Sequence, residues 1–236
     1  LVGKGITFDA GGYNLKPSQA ISSMKCDMSG AAAVIGTMMA IAELKPKKNI
    51  IGVTPLCENL INGKAYKPDD ILKAYNGKTI EIGNTDAEGR LILADALSYT
   101  DEKYTPEIMI DLATLTGACV VALGEKMAGL MSKDKELAIE LQLASEKSGD
   151  LAWELPLRDI YMDAMKGTIS DLKNIAPRSF GAGAITAGVF LSHFVEKARW
   201  AHLDIAGTAF ISDDRNYLKK GGTGAGVRLL CYYLTQ

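Results

Sequence analysis

The chain has 236 residues, of which 47% are hydrophobic and 23% charged, a composition typical of a globular protein with one large domain or two small ones. Its formal net charge of −2 means that no basic excess points to binding of nucleic acid or an anionic membrane. No stretch reaches the roughly 18 apolar residues of a membrane span. The four cysteines are scattered and form no C-x-x-C pair, which indicates buried thiols in a reducing compartment. With no signal peptide in the sequence, we expect a cytoplasmic protein without membrane contact.

Predicted strands and helices alternate along the chain. The predicted strands cover residues 1–9, 49–55, 107–113 and 200–206, with further strand in the polar region 63–78. The predicted helices cover residues 30–44, 91–99, 134–148, 184–198 and 224–234, the first of them capped by Ser29. This alternation predicts an α/β fold in which a mixed, largely parallel central sheet is covered by helices on both faces. We expect one domain over residues 1–236, with its functional site at the carboxyl ends of strands.

The segment Asn84–Leu91 concentrates charge just before a predicted helix. Asp86, Glu88 and Arg90 alternate in this segment, so an extended backbone would turn all three side chains toward one cavity. Two carboxylates held this close repel each other unless a proton or a cation compensates them. The glycine at position 89 lets the backbone adopt unusual conformations or lets a ligand approach closely. Taken alone, the pattern favours the simpler interpretation, a solvated acidic turn that caps the helix.

Other charged residues stand at the ends of presumed strands. These are Lys4, Asp9, Lys16 and Asp27. Each has a simple structural interpretation of its own, such as a helix cap for Asp27 or a turn for Asp9. Together with the Asn84–Leu91 segment they supply four carboxylates, while the only two histidines lie outside any H-E-x-x-H pattern. An oxygen-rich cluster suits Mg²⁺ or Mn²⁺ and also holds Zn²⁺, and four acids satisfy two ions about 3.5–4 Å apart.

Six segments of the chain form a specific pattern in a fixed order. They are Val2–Asp9 with Gly11-Gly12, Leu15-Lys16-Pro17, Met24–Met28, Asn84–Leu91, Asp111–Ala118 and His202–Gly207. This pattern resembles the leucyl (cytosol) aminopeptidase family of two-metal peptidases. The resemblance extends over essentially the whole chain but covers only that family's catalytic domain. We therefore expect that the family's N-terminal domain and the start of its catalytic domain are absent from this sequence. The chain departs from the pattern at Ala10 and Ser29, neither of which is an expected ligand.

The resemblance implies a role for each charged residue. One metal is held by Lys4, Asp9, Asp27 and Glu88, and the other by Asp9, Asp86 and Glu88 together with the backbone carbonyl of Asp86. The implied catalytic side chains are Lys16 and Arg90. The implied substrate site contains Lys16, Met24, Asn84, Thr114, Leu115 and Gly117. The implied cofactors are two divalent ions per subunit, Mn²⁺ or Zn²⁺ with Mg²⁺ as a further option, and a bicarbonate near Arg90.

The resemblance also implies a reaction and an assembly. A water activated between the metals releases N-terminal, bulky apolar (leucine-like) amino acids from peptide substrates, and the subunits form a homohexamer of two trimers. Two alternatives stay open, namely an additional DNA-binding architectural role and a catalytically inactive homologue. The net charge of −2 argues against nucleic-acid binding. The complete set of metal-binding and catalytic residues argues against inactivity.

Overall fold

The computed structural model describes residues 1–236. The strands are β1 (Val2–Gly3), β2 (Gly5–Asp9), β3 (Leu56–Asn59), β4 (Ile71–Lys73), β5 (Thr79–Glu81), β6 (Ile108–Ala113), β7 (Ala128–Ser132), β8 (Ala152–Glu154), β9 (Leu172–Lys173), β10 (Arg199–Asp204), β11 (Phe210–Ile211) and β12 (Gly221–Gly222). The helices are α1 (Ser18–Ile21), α2 (Ser29–Leu44), α3 (Gly89–Tyr104), α4 (Gly117–Leu123), α5 (Lys135–Ser148), α6 (Gly183–Ser192) and α7 (Val227–Leu234). No helix combines the length and the hydrophobicity needed to traverse a bilayer.

The central sheet has five strands in the order β1-β6-β10-β7-β8. Three neighbouring pairs are parallel, and only β10 and β7 run antiparallel. Alternate residues of β6 point to opposite faces of the sheet. Met109 belongs to a core formed with α3 and α6, whereas Ile110 and Leu112 belong to a core formed with α2, α5 and α7. The predicted α/β fold, with a mixed and largely parallel sheet between two helical layers, is therefore confirmed.

The predicted strand 1–9 is divided at Lys4, and this division shapes the site. The chain pairs first with β6 through β1 and then with β3 through β2. At the break, the backbone N–H of Lys4 donates to the carbonyl of Leu112 at 2.9 Å, and its carbonyl accepts from Ala31 at 2.8 Å. The side chain of Lys4 therefore emerges where the central sheet and a second, smaller sheet separate.

Three local predictions were wrong. Residues 49–55 form only one isolated bridge, at Val53, and the strand follows after Pro55 as β3. Ser29 lies inside α2, where its hydroxyl donates to the carbonyl of Cys26 instead of capping the helix. The helix predicted over 184–198 ends at Ser192, because the buried carboxylate of Asp101 accepts the backbone N–H groups of residues 196–198 and holds them in a turn.

Candidate metal centre and active site

Lys4 lies in the middle of a group of buried acceptors. Its Nζ donates to the two carboxylate oxygens of Asp27 at 2.6 and 2.7 Å and to the carbonyl of Thr114 at 2.7 Å. It also lies 3.3 Å from Oε1 of Glu88. The side chain of Lys4 is only 3% exposed. A cation this deeply buried is tolerated only with close anionic partners, which these carboxylates provide.

A glycine is needed at position 89 because the side chain of Lys4 passes close to its backbone. A Cβ added at position 89 would collide with the terminal side-chain atoms of Lys4. Gly89 begins α3 and has no positive φ, so conformational freedom is not the reason for glycine here. The glycine instead leaves room for a lysine side chain to pass the first turn of the helix and reach Glu88.

Asp9 ends β2 beside the second lysine of the site. Its Oδ1 accepts hydrogen bonds from the backbone N–H of Gly11 at 2.9 Å and from the amide of Asn59 at 2.8 Å. Its Oδ2 lies 2.8 Å from Nζ of Lys16, which also lies 2.6 Å from Oδ1 of Asp86. The ammonium of Lys16 therefore bridges two carboxylates that come from different parts of the chain.

The acids gather into a cluster suited to divalent cations. Ligand oxygens of Asp9, Asp86 and Glu88 all lie within 4.8 Å of one another. Asp27 joins them across the Nζ of Lys4. Four carboxylates thus share two ammonium groups, and the oxygen donors match the preference of hard divalent ions. The residues present therefore fit the metals that the sequence predicts.

Among these carboxylates alone, the basic groups of the site favour their charged forms, and a divalent ion that took Lys4 as a ligand would displace its proton. Burial alone would lower the pKa of Lys4, but the charges of Glu88 and Asp27 outweigh burial and raise it above the ordinary lysine value. Burial likewise opposes the charge of Lys16, but hydrogen bonds to its two carboxylate neighbours raise its pKa. Burial lowers the pKa of Arg90 to about 10, which still leaves a guanidinium at neutral pH.

Burial of the acids disfavours their charged forms. Burial raises the pKa of Asp27 to about 7, against the pull of the Lys4 ammonium, and the charge of Glu88 adds to the rise. Burial also raises the pKa of Asp86, although its hydrogen bond to Lys16 opposes the shift. Like charges crowded away from water therefore make this cluster receptive to additional positive charge.

The simpler interpretation of the Asn84–Leu91 segment, a helix cap, does not hold. Glu88 occupies the N-cap position of α3, but its side chain accepts no capping hydrogen bond. Its Oε1 lies instead near Lys4, and its Oε2 lies 3.4 Å from the amide of Asn59. The carboxylate is turned toward the cluster rather than toward the start of the helix.

Arg90 is fixed by a residue that the sequence analysis did not single out. Its Nη1 donates to the backbone carbonyl of Asn174 at 2.7 Å. The Asn174 side chain, fully buried, accepts from the backbone N–H of Gly83 at 2.8 Å and donates to the carbonyl of Asn84 at 2.6 Å. Asn174 follows β9, which pairs with β5, so the small β4-β5-β9 sheet positions the Asn84–Leu91 segment. No local sequence signal marks this pairing, because β9 has only two residues.

A cleft of about 650 Å³ opens beside the cluster. Its lining includes Asp86 and Arg90 together with three of the predicted substrate residues, Asn84, Leu115 and Gly117. The other three, Lys16, Met24 and Thr114, do not line this cleft. Lys16 lies between Asp9 and Asp86, and the hydroxyl of Thr114 donates to Asp27 at 2.7 Å. Apolar side chains supply much of the remaining wall, among them Ala118, Val121, Ile175, Ala176 and Ile185.

The loop after β6 is held in place by Asp204, a residue of the His202–Gly207 segment to which the sequence analysis gave no role. The buried carboxylate of Asp204 accepts from the hydroxyl of Thr116 at 2.7 Å and from the backbone N–H of Leu115 at 3.2 Å. Thr116 in turn accepts from the backbone N–H of Cys119 and caps α4. Asp204 thereby fixes the wall of the cleft that the predicted substrate residues form.

Comparison with known sequences identifies the family of the chain. A family model described as the cytosol aminopeptidase family, catalytic domain, matches residues 1–231. A probable cytosol aminopeptidase of Geotalea uraniireducens is 55% identical over 234 residues, covering 99% of this chain and 47% of the relative. Proteins of the same name from Pasteurella multocida and Alkaliphilus oremlandii are 56% and 52% identical, over 99% and 100% of this chain and 46% of each relative.

The chain belongs to the cytosol aminopeptidase family, and the match falls on the catalytic domain of that family. It spans about half the length of the curated relatives it matches.

Proposed function

We propose that the protein is a metal-dependent aminopeptidase that removes N-terminal, bulky apolar amino acids from peptides. The observation that carries the proposal is the convergence of Asp9, Asp86 and Glu88, with ligand oxygens within 4.8 Å, beside a cleft with apolar walls. Membership of a family of aminopeptidases gives this cluster its chemical context. In our proposal, Lys4, Asp9, Asp27, Asp86 and Glu88 hold two divalent ions.

Two divalent ions held by these residues would supply a nucleophilic water at neutral pH and Lewis acidity for the scissile carbonyl. The side chains divide the remaining work. Lys16, which keeps its charge beside Asp9 and Asp86, faces the cluster and stabilises the negative charge that develops on the substrate carbonyl oxygen. Arg90 is a cation throughout and cannot be the general base, so we assign it to holding an anion such as bicarbonate close to the reacting groups.

The cleft supports a preference for apolar N-terminal residues. Leu115, Ala118 and Ile185 are among the side chains that line it, and a leucine-sized side chain is stabilised by contact with such a surface. A cytoplasmic location, in keeping with the names of the relatives, and a homohexamer of two trimers, which rests on the family resemblance alone, complete the proposal.

The test is hydrolysis of leucine amide by the purified protein, with glutamate amide for comparison and metal content measured on the same preparation. We expect leucine amide to be the better substrate, prolonged chelation to abolish its hydrolysis, and Mn²⁺ or Zn²⁺ to restore it. Full activity of metal-free protein would disprove the metal-dependent mechanism, and equal rates on the two amides would disprove the apolar preference.

A further inference from the structure

Asn59 is a buried polar residue to which the proposed mechanism gives no part. It ends β3, directly beside Asp9 in the parallel β2–β3 pairing. Its backbone carbonyl accepts from the N–H of Ala10 at 2.9 Å, so main-chain bonds fix its position. The residue is only 4% exposed. A buried amide of this kind is expected to satisfy specific hydrogen-bonding partners.

The partners of the Asn59 amide are the acids of the cluster. Its Nδ2 donates to Oδ1 of Asp9 at 2.8 Å and to the carbonyl of Thr85 at 3.0 Å, and lies 3.4 Å from Oε2 of Glu88. All three surrounding groups are hydrogen-bond acceptors. They therefore match the neutral N–H₂ group of the amide, which donates, and not its carbonyl oxygen, which accepts. One side chain thus links two carboxylates that lie far apart in sequence.

The contacts leave one oxygen of each carboxylate directed elsewhere. Asp9 Oδ1 is engaged by Asn59 and Gly11, while its Oδ2 lies 2.8 Å from Lys16. Glu88 Oε2 faces Asn59, while its Oε1 lies 3.3 Å from Lys4. Asn59 therefore fixes the rotation of both carboxylates and does so without adding charge to an already acidic site.

We infer that Asn59 is a positioning residue of the metal centre, which orients Asp9 and Glu88 for divalent-ion binding; the inference rests on the proposed function. Hydrogen bonds of this kind hold ligand side chains in place before the metal arrives, and their loss typically weakens metal binding about 10- to 100-fold. Asn59 contacts two of the proposed ligands, so its removal is expected to lower the affinity of the site for both ions.

Tyr66 offers a matched control. Its hydroxyl donates to the carbonyl of Thr85 at 2.7 Å, the same carbonyl that accepts from Asn59, but it makes no hydrogen bond to a carboxylate. Tyr66→Phe therefore removes a bond to the same loop and leaves the orientation of Asp9 and Glu88 intact. A difference between the two variants separates an effect on the carboxylates from an effect on the loop.

The experiment titrates Mn²⁺ into metal-free wild-type, Asn59→Ala, Asn59→Leu and Tyr66→Phe proteins by calorimetry, with thermal unfolding of the metal-free forms as the check on folding. Leucine has the branched shape of asparagine without the N–H₂ donor, so it serves if the alanine variant does not fold. We expect both Asn59 variants to raise the Kd for Mn²⁺ by about 10- to 100-fold, and Tyr66→Phe to change it less than about 3-fold.

Two results would overturn the inference. One is a Kd for a folded Asn59 variant equal to that of the wild type, and the other is an equal weakening in Tyr66→Phe. A wild-type protein that binds no Mn²⁺ would instead refute the proposed function, and the inference with it, so the two failures are distinguishable.

Discussion

Two buried charged clusters lie close to the central sheet, and they are built in opposite ways. On neighbouring strands β6 and β10, Asp111 Oδ1 lies 2.6 Å from Nδ1 of His202, and its Oδ2 accepts from Nε1 of Trp200 at 2.7 Å. Both oxygens of this single acid are therefore occupied by protein donors. In the candidate metal centre, four carboxylates share the ammonium groups of Lys4 and Lys16.

The difference shows what separates a structural charge from a functional one. A buried acid whose donors come from its own strand neighbours is self-sufficient and needs nothing from solution. A cluster with more carboxylates than basic groups keeps an excess of negative charge that a bound cation neutralises. The comparison predicts that the same chemical change, from carboxylate to amide, has opposite consequences in the two clusters.

The largest effect on activity is expected for Glu88→Gln. The substitution keeps the shape of the side chain but removes a charge that we assign to both metals, so kcat/KM for leucine amide falls by about 10³-fold or more. Removing one of several crowded acids costs the fold little, and the melting temperature of the metal-free protein stays close to that of the wild type. A near-normal rate would mean that Glu88 holds no essential metal.

Lys4→Arg is expected to have the next largest effect. As a metal ligand, Lys4 must act as a neutral amine, whereas as an ion-pair partner of Asp27 it stays protonated. Arginine keeps the positive charge but does not deprotonate. We therefore expect one of two metals to be lost and kcat/KM to fall about 10²-fold or more. Two tightly bound metals and normal turnover in the folded variant would make Lys4 a structural cation only.

Asn174→Ala tests whether Asn174 holds the Arg90 side chain in position. Without the side-chain bonds to Gly83 and Asn84, the carbonyl that accepts from Arg90 loses its fixed position. We expect kcat to fall about 10- to 100-fold with little change in KM. If Asn174 acts through Arg90, the losses in Asn174→Ala and Arg90→Ala are not additive in the double variant. Fully additive losses would assign Asn174 a separate role.

Asp111→Asn is expected to affect activity least and stability most. Breaking one partner of a buried pair typically costs about 3–5 kcal/mol, so the unfolding free energy falls by this amount. The kcat/KM of the folded protein changes less than about 3-fold, because both oxygens of Asp111 are occupied by donors of the neighbouring strand and Asp111 has no part in the proposed mechanism. Denaturant unfolding and leucine amide hydrolysis on the same samples check both numbers. A large loss of activity without destabilisation would show that Asp111 has a functional role rather than a structural one.

The pH dependence of this destabilisation has a definite sign. Burial opposes the charge of His202, but Asp111 outweighs burial and raises the His202 pKa above its ordinary value of 6.5. A raised pKa contributes stability that is fully present below the unfolded pKa and is lost as the pH rises through the folded one. The stability gap between wild type and Asp111→Asn is therefore widest below pH 6.5 and narrows at higher pH.

The sequence predicted the long helices and the central strand β6 better than the short strands β7 and β8 at one side of the sheet. Strand β6 and helices α2 and α5 were found within a residue or two. The strand is a short, nearly continuous apolar run, and the two helices are long segments rich in apolar residues. Strands β7 and β8 were missed, since five buried residues including a glycine and a three-residue strand give no clear period. The position of these two strands is set by the pairing of β7 with β10 and of β8 with β7, and such long-range pairing leaves no local pattern in the sequence.

The site shows the same division. The charged residues of the cluster were identified by motif, and the structure brings together Lys4, Lys16 and the four acids. Asn59 and Asn174 were not identified, because an asparagine at the end of a short strand resembles any turn residue in sequence. Only the folded chain places Asn59 beside Asp9 and Asn174 beside Arg90.

The most direct test of the central claim is the number of Mn²⁺ ions that metal-free protein binds, measured by calorimetric titration of wild type beside Glu88→Gln and Asp111→Asn. We expect two ions per chain in wild type and in Asp111→Asn, and a loss of tight binding in Glu88→Gln. Wild-type protein that binds no ion, or a Glu88→Gln variant that binds two as tightly as wild type, would refute the proposed metal centre.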